Sequence, residues 1–282
     1  PDERREERLL LARVMPRSGP EPEETAERGP IVESALPTRP RGREGAQRLD
    51  PGRREPQVDR IFADLESFLP GFLQQVMAKQ AAAPRPLMPQ GPFPLERQRE
   101  LSHAIMQVLG FPFERGRLDT AHHPFSGGAD GDVRITTRYN EADFMHSLMA
   151  VIHETGHALY EDGRPPEWLG QPVGNSRGMT LHESQSLLLE MQAARSEEFI
   201  RFLVPTIARV LGGEGPAWTP DNFLRIYRKV EPGLIRVFAD EVTYPLHVIL
   251  RYKLEKAIIA NELPTRELPG AWNELMEQLL GI

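Results

Sequence analysis

The feature that most constrains this 282-residue chain is a His-Glu-x-x-His motif, formed by His153, Glu154 and His157. On an α-helix, residues four positions apart lie one above the other on the same face. The two imidazoles can therefore bind one divalent metal ion. Glu154 would then lie at the edge of the site, where a general base can accept a proton from a water bound to the metal.

The residues around the motif predict that its helix is buried. Apolar side chains lie on nearly every side of this segment; they are Phe144, Met145, Leu148, Met149, Val151, Ile152, Ala158, Leu159 and Tyr160. Buried imidazoles and a buried carboxylate need polar partners, and a shared Zn²⁺ would satisfy all three. A surface helix with two solvated histidines is the alternative, and the apolar context argues against it.

A catalytic zinc needs a third protein ligand and an open coordination position. Glu183 and His182, close together at the head of the next predicted helix, are the two candidates. A set of three histidines usually follows the pattern H-E-x-x-H-x-x-G-x-x-H. Here Gly163 is too far from His157, and no histidine follows nearby. Glu183 is therefore favoured, and His182 would contact the substrate or the oxyanion, or would cap its helix.

Composition excludes several classes of protein. A net charge of −7 and a pI near 5.7 argue against a nucleic-acid-binding protein, which would present a basic face. The absence of Cys excludes a disulfide framework and a thiolate ligand or nucleophile. No apolar run reaches the length of a membrane span, and Leu9–Ala12 is too short for the hydrophobic region of a signal peptide. We therefore expect a cytoplasmic protein without a membrane partner.

The chain divides into two parts by composition. Residues 1–55 are rich in Arg, Glu and Pro, and the first aromatic residue of the chain is Phe62. Such a segment buries too little apolar surface to offset its loss of conformational entropy, so we expect it to be disordered or loosely attached. Residues 56–282 are predicted to form the catalytic core.

Helical periodicity dominates this core. The predicted helices cover residues 58–76 with an interruption at Pro70-Gly71, then 95–109, 180–204, 220–230, 240–261 and 269–280. Residues 140–143 are predicted to cap the helix that carries the motif. The alternation in Asp132–Tyr139 predicts a short strand, either an edge strand that binds an extended peptide or a structural hairpin strand.

Five motifs in this order resemble the carboxypeptidase Taq family of metallocarboxypeptidases. They are His123-Pro-Phe125, Asp132-Val-Arg-Ile-Thr136, His153-Glu-Thr-Gly-His157, His182-Glu-Ser-Gln185 and Ile235-Arg-Val-Phe-Ala-Asp240. The resemblance implies a mainly α-helical metallopeptidase with a small β-sheet edging the active-site groove. It also implies a homodimer that removes single residues from peptides with a free C-terminus, with broad specificity but not for Pro. The implied cofactor is Zn²⁺, for which Co²⁺ can substitute.

The resemblance also assigns residues to roles. It implies that His153, His157 and Glu183 bind zinc and that Glu154 is the general base. Arg236 would pair with the free carboxylate of the substrate, a task that suits the bidentate hydrogen bonding of a guanidinium. The other residues expected at the substrate groove are His123, Arg134, Thr136 and His182.

Two departures from the family leave other functions open. The family's last motif, G-x-x-Q-D-x-H-W, and its long amino-terminal helices are not found in this sequence. An inactive or weakly active fragment that binds zinc or peptide is therefore one alternative, and a metalloendopeptidase is another. Glu190 and Asp240 are candidate hydrogen-bond partners for the two motif histidines, although a solvated position is favoured for both.

Overall fold

A computed structural model describes residues 55–282 of the chain. The prediction of a disordered or loosely attached segment over residues 1–55 lies outside this part, except that Glu55 begins the first helix. None of the helices in the described part is both long and apolar enough to cross a membrane.

The predicted fold class is confirmed, because the described residues form eight α-helices and one small sheet. The helices are α1 (Glu55–Ala81), α2 (Leu95–Leu109), α3 (Met145–Asp162), α4 (Met179–Leu187), α5 (Glu197–Leu211), α6 (Pro220–Tyr227), α7 (Tyr244–Ile259) and α8 (Leu268–Leu280). A π-helical segment, Leu188–Ala193, follows α4 directly. The strands are β1 (Gly116–Thr120), β2 (Phe125–Ala129) and β3 (Asp132–Thr137).

Helix α3, which carries the His-Glu-x-x-His motif, lies at the centre of the packing. It contacts α2, α4, β3 and the π-helical segment. Val151, Ile152 and Ala158 are fully buried, which confirms the predicted buried helix. The predicted cap is also present, because the Asp143 side chain accepts a hydrogen bond from the backbone N–H of Met145 at 2.9 Å.

Two of the three hydrophobic cores join most of the helices of the described part. The first joins α2 and α3 to α5 and α6, and Phe144, Ile200 and Phe223 are fully buried in it. The second joins α1 to α7 and α8, with Leu73 and Leu246 fully buried. Together they fix the helices on which the polar residues of the motifs lie.

The sheet corrects the prediction of an edge strand. β3 is the central strand, parallel to β1 and antiparallel to β2. The alternative interpretation, a structural hairpin strand, is confirmed, since β2 and β3 pair across a tight turn. Val133, Ile135 and Thr137 are buried, as their alternation predicts. The flanking strands escaped sequence analysis because β2 is rich in Gly and neither shows apolar alternation.

The predicted interruption of the first helix is wrong. α1 continues through Pro70, although a proline inside a helix costs about 3 kcal/mol locally. Leu69 and Leu73, on either side of Pro70, are buried against α7 and α8. The burial of these side chains therefore outweighs the local penalty.

Two other helix predictions need correction. The single helix over residues 180–204 is divided, because Ser196 begins a new helix by accepting a hydrogen bond from the N–H of Phe199 at 3.2 Å. The helix predicted over 240–261 begins at Tyr244. Before it, the Asp240 side chain accepts hydrogen bonds from the N–H groups of Val242 and Thr243, both at 2.9 Å, and forms a turn instead.

Gly156 permits the close approach of α3 to α4. A Cβ atom at this position would lie 2.6 Å from Cα of Ser186 and 2.7 Å from the carbonyl oxygen of Gln185. Both are backbone atoms, so they cannot move away independently of the helix. The separation of the two helices is therefore set by the absence of a side chain at Gly156.

We expect Gly156→Ala to destabilise the fold, because the added methyl group must push two backbones apart at a cost of roughly 1–3 kcal/mol. Gly71→Ala is the matched control, since a Cβ there meets no atom within 4 Å. Because Gly71 lies in a helix, that substitution is expected to stabilise by about 0.5–1 kcal/mol. Urea unfolding measures both values, and equal stability of the two variants would contradict the close packing.

Candidate metal centre

Helices α3 and α4 bring three potential ligands to one point. One nitrogen each of His153 and His157 and one carboxylate oxygen of Glu183 lie within 4.8 Å of one another. Oε2 of Glu183 is 3.3 Å from Nε2 of His157 and 3.8 Å from Nε2 of His153. Among residues 55–282, no other group of three or more His, Asp or Glu side chains is arranged to hold a metal ion.

The other ring nitrogen of each histidine contacts a side chain of the protein. Nδ1 of His153 lies 2.8 Å from Oε2 of Glu190, and Nδ1 of His157 lies 2.6 Å from Nδ1 of His182. A histidine that binds metal through Nε2 usually donates its Nδ1 proton to such a partner, which fixes the ring and its tautomer. The solvated position favoured for Glu190 is therefore wrong, since only 16% of its side chain is exposed.

His182 is part of this arrangement and does not cap its helix. Its Nε2 lies 2.8 Å from Oε1 of Glu161, and its ring also packs against Tyr160. Both ring nitrogens of His182 are therefore in contact with protein partners. In this conformation His182 has no free ring nitrogen to offer a substrate.

Glu190 is itself held by a second residue. Nη2 of Arg195 lies 3.6 Å from Oε1 of Glu190, and Nη1 donates to the carbonyl oxygen of Tyr227 at 3.3 Å. Glu190 lies in the π-helical segment, a type of helix that is rare and often occurs at functional sites. This segment carries the Glu190 carboxylate to His153.

The Glu183 carboxylate is kept ionised by its neighbours. The neighbouring His157 ring lowers the pKa of Glu183 to about 2, assisted by the charge of His153 and by Tyr244, although burial acts in the opposite direction. The hydroxyl of Tyr244 donates to Oε1 of Glu183 at 3.0 Å. Burial and the Glu183 charge raise the pKa of Tyr244 to about 12, so Tyr244 remains a proton donor.

Glu154 has a different environment from Glu183. Only 8% of Glu154 is exposed, and burial raises its pKa above the usual value although His153 and His157 act in the opposite direction. Among the described residues, no hydrogen-bond donor contacts its carboxylate. For His153, burial lowers the pKa, but the hydrogen bond to Glu190 and the negative charges of Glu190, Glu183 and Glu154 together outweigh it, so the pKa of His153 is raised.

Arg236 reaches the same site from the loop before α7. Its Nη1 donates to the hydroxyl of Tyr244 at 2.5 Å, and its guanidinium lies over the Tyr244 ring, 5.3 Å from the centroid. Arg236 is thus two hydrogen bonds away from Glu183. Within residues 55–282, Arg236 forms no ion pair with a carboxylate.

The remaining residues predicted at the groove lie on or beside the sheet. Arg134 pairs with Asp132 at 2.8 Å, and the Thr136 hydroxyl donates to the carbonyl oxygen of His123 at 2.9 Å. The side chains of His123 and Arg134 are exposed. β2 and β3 pack on α3, but the hydrogen bonds of these residues stay at the sheet and do not reach the histidines.

Sequence analysis missed Tyr244, Glu161 and Arg195. Glu161 lies one helical turn after His157, and this spacing could have identified it. Tyr244 and Arg195 show no comparable signal, because only the tertiary structure brings them to the site. Asp240, proposed as a partner of the histidines, is buried but caps the turn before α7 instead.

The donor set fits a zinc ion. Two imidazoles and a carboxylate are ligands that zinc prefers, and catalytic zinc sites keep three protein ligands and one open position. The hydrogen bonds at both Nδ1 atoms leave both Nε2 atoms directed toward Glu183. The arrangement therefore has three potential ligands in a suitable orientation, and a further carboxylate, that of Glu154, lies on the same helix.

Two carboxypeptidases are similar in sequence to most of this chain. Carboxypeptidase 1 of Bacillus subtilis is 38% identical over 235 residues, which are 83% of this chain and 47% of that protein. Thermostable carboxypeptidase 1 of Thermus thermophilus is 38% identical over 83% of this chain and 46% of its own length. The chain thus spans about half the length of these relatives.

Solved structures agree in fold. The structure of Trypanosoma cruzi metallocarboxypeptidase 1 matches with a TM-score of 0.81 and 44% identity, over 84% of this chain and 49% of that chain. The M32 carboxypeptidase of Deinococcus radiodurans matches with a TM-score of 0.75 and 37% identity, over 84% and 47%. A sequence model of the carboxypeptidase Taq (M32) metallopeptidases matches residues 46–282. From these matches, the chain belongs to the carboxypeptidase Taq (M32) metallopeptidase family.

Proposed function

We propose that this chain provides the zinc-binding half of a carboxypeptidase that removes the last residue of a peptide. The observation that carries the proposal is the convergence of His153, His157 and Glu183 beside the unpaired Glu154 carboxylate. His153, His157 and Glu183 would hold Zn²⁺. When bound, the ion supplies Lewis acidity that polarises the peptide carbonyl and acidifies water.

Glu154 would act as the general base. Its carboxylate, free of donors among the described residues, accepts a proton from the attacking water as the water oxygen bonds to the peptide carbonyl carbon. The same group then donates that proton to the departing nitrogen as the C–N bond breaks. Its raised pKa favours the first of these steps, because a carboxylate with a higher pKa is a stronger base.

Arg236 would recognise the free C-terminus. A carboxypeptidase must distinguish a terminal carboxylate from an internal peptide bond, and a guanidinium does so by charge-assisted hydrogen bonds. The absence of an ion pair with any described carboxylate leaves Arg236 able to bind one from a substrate. Its hydrogen bond to Tyr244, which in turn donates to Glu183, holds it near the potential metal ligands.

The finer parts of the proposal rest on the family resemblance. They are zinc as the ion, with Co²⁺ as a substitute, broad specificity without cleavage at Pro, a homodimer and a cytoplasmic location. His123, Arg134 and Thr136 would line the substrate groove next to α3, on which β2 and β3 pack. Binding of zinc or peptide without turnover is the second candidate function, since binding the ion requires only His153, His157 and Glu183.

Glu154→Gln tests the proposed base. The amide keeps the size of the side chain but cannot accept the proton, so kcat/KM is expected to fall about 10²–10⁴-fold while zinc affinity changes little. Zinc binding is measured by chelator competition and turnover with an unblocked peptide. A fully active variant would exclude Glu154 as the base, and a native chain that binds zinc without turnover would support the second candidate function.

Arg236→Met tests the recognition of the C-terminus. We expect kcat/KM for a free-acid peptide to fall by the factor that corresponds to about 1.5–3 kcal/mol, the value of hydrogen bonds to charged groups. The preference for the free acid over the C-terminal amide should disappear. Arg99→Met is the matched control, since Arg99 also lies over a tyrosine ring, that of Tyr139. Native protein that cleaves the acid and the amide equally well would instead indicate an endopeptidase.

The metal-free site predicts a pH dependence of stability. The pKa of Glu183 is lowered from 4.5 to about 2, so its stabilisation is present above pH 4.5 and is lost as the pH falls toward 2. The pKa of His153 is raised above 6.5, so its stabilisation is present below pH 6.5 and is lost as the pH rises through the folded value.

Glu183→Gln removes the first contribution and the smaller part of the second that comes from the Glu183 charge, while the Glu190 contribution to His153 remains. In the presence of a chelator, the difference in unfolding free energy between native protein and this variant should therefore be largest between pH 4.5 and 6.5. Urea unfolding over a pH series measures this difference. A difference that stays constant across this window and on both sides of it would contradict the assigned electrostatics.

A further inference from the structure

The hydrogen bonds behind His157 form a chain that runs away from the metal centre. His157 contacts His182 at 2.6 Å, His182 contacts Glu161 at 2.8 Å, and Glu161 contacts Nε of Arg164 at 2.8 Å. Arg164 in turn donates to Asp130 at 2.7 Å in the turn between β2 and β3. The side chains of His182 and Arg164 are only 14% and 13% exposed, so water competes little for their hydrogen bonds.

When His182 is neutral, the direction of each hydrogen bond between His157 and Glu161 is fixed from the outer end of the chain of contacts. Arg164 is always protonated and can only donate. An ionised Glu161 can only accept, so it requires a proton on Nε2 of His182. A neutral His182 that is protonated at Nε2 has an unprotonated Nδ1, which can only accept.

The consequence for His157 follows directly. Because Nδ1 of His182 accepts, Nδ1 of His157 must carry the proton and donate it. The proton-free nitrogen of His157 is then Nε2, the atom that lies 3.3 Å from Glu183. A histidine binds a metal through a proton-free nitrogen.

We infer that Glu161 is a positioning residue that selects the metal-binding tautomer of His157 from two hydrogen bonds away. This inference rests on the proposed role of His157 as a zinc ligand. Glu161 itself is separated from the site by the His182 ring, so it contacts neither His157 Nε2 nor Glu183. Arg164 contributes by an ion pair with the second oxygen of the same carboxylate, and its Nε–H donates to the backbone carbonyl oxygen of Glu161 at 3.1 Å.

Glu161→Gln should reverse the direction of the hydrogen bond between His182 and His157. Gln has the same shape but one oxygen and one NH₂ group, and Arg164 can only donate, so it binds the oxygen. The NH₂ group then faces Nε2 of His182 and favours the tautomer with its proton on Nδ1. That proton points at His157 and favours a protonated Nε2, which opposes zinc binding.

Zinc affinity of the full 282-residue chain, measured by chelator competition at one pH, tests this inference. We expect Glu161→Gln to weaken zinc binding about 10- to 100-fold, the usual effect of losing a partner behind a metal ligand. Asp162→Asn is the matched control. It makes the same carboxylate-to-amide change on the neighbouring residue and also disrupts an arginine pair, that with Arg115, without contacting His182.

A double variant separates a change of tautomer from a general disruption of the site. Arg164→Met removes the donor that forces the Gln oxygen away from His182, so Glu161→Gln with Arg164→Met should bind zinc more tightly than Glu161→Gln alone. Arg164→Met alone should weaken binding less than Glu161→Gln, because the Glu161 carboxylate still accepts from His182. Thermal unfolding in a chelator checks that each variant is folded.

Each outcome decides between the explanations. Unchanged affinity of Glu161→Gln, or a double variant as weak as the single one, would overturn the inference while the zinc site stands. A native chain that does not bind zinc would instead overturn the proposed function. ¹⁵N spectra of the zinc-loaded native protein offer a second readout, since they should show His182 protonated at Nε2, and protonation at Nδ1 would also overturn the inference.

Discussion

A buried helix that carries two imidazoles must give each of them a polar partner, and the rest of this structure depends on that requirement. α3 is enclosed by α2, α4, β3 and the π-helical segment, so water cannot solvate these groups freely. The fold meets the requirement with side chains from α4 and the π-helical segment, which Gly156 allows to approach closely. Packing and polar chemistry are therefore determined by the same helix contact.

The partners are arranged as two outward chains of hydrogen bonds and ion pairs. His153 leads through Glu190 to Arg195, and His157 leads through His182 and Glu161 to Arg164. Each arginine also binds a backbone carbonyl oxygen, that of Tyr227 or of Gly174, at 3.3 Å. The orientation of the imidazoles is thus anchored to the backbone. Such support is what keeps ligand atoms in position before an ion binds.

Much of the fold and of the candidate metal centre could be predicted from the sequence, because periodicity and motif spacing are local properties. The buried helix, its Asp143 cap and the trio of His153, His157 and Glu183 follow from residues close together along the chain. The continuity of α1 through Pro70 could not be predicted, since distant burial decides it. The position of β3 between two glycine-containing strands and the contact of Tyr244 with Glu183 also depend on tertiary structure.

The central claim is that His153, His157 and Glu183 jointly bind one ion and leave a coordination position open. Anomalous diffraction from crystals grown with zinc measures this most directly. The account predicts a single strong peak, within about 2.0–2.2 Å of Nε2 of both histidines and of a Glu183 oxygen, with no fourth protein ligand. A peak bound through Nδ1, a Glu183 carboxylate turned away from the ion, or a fourth side chain in the open position would contradict it.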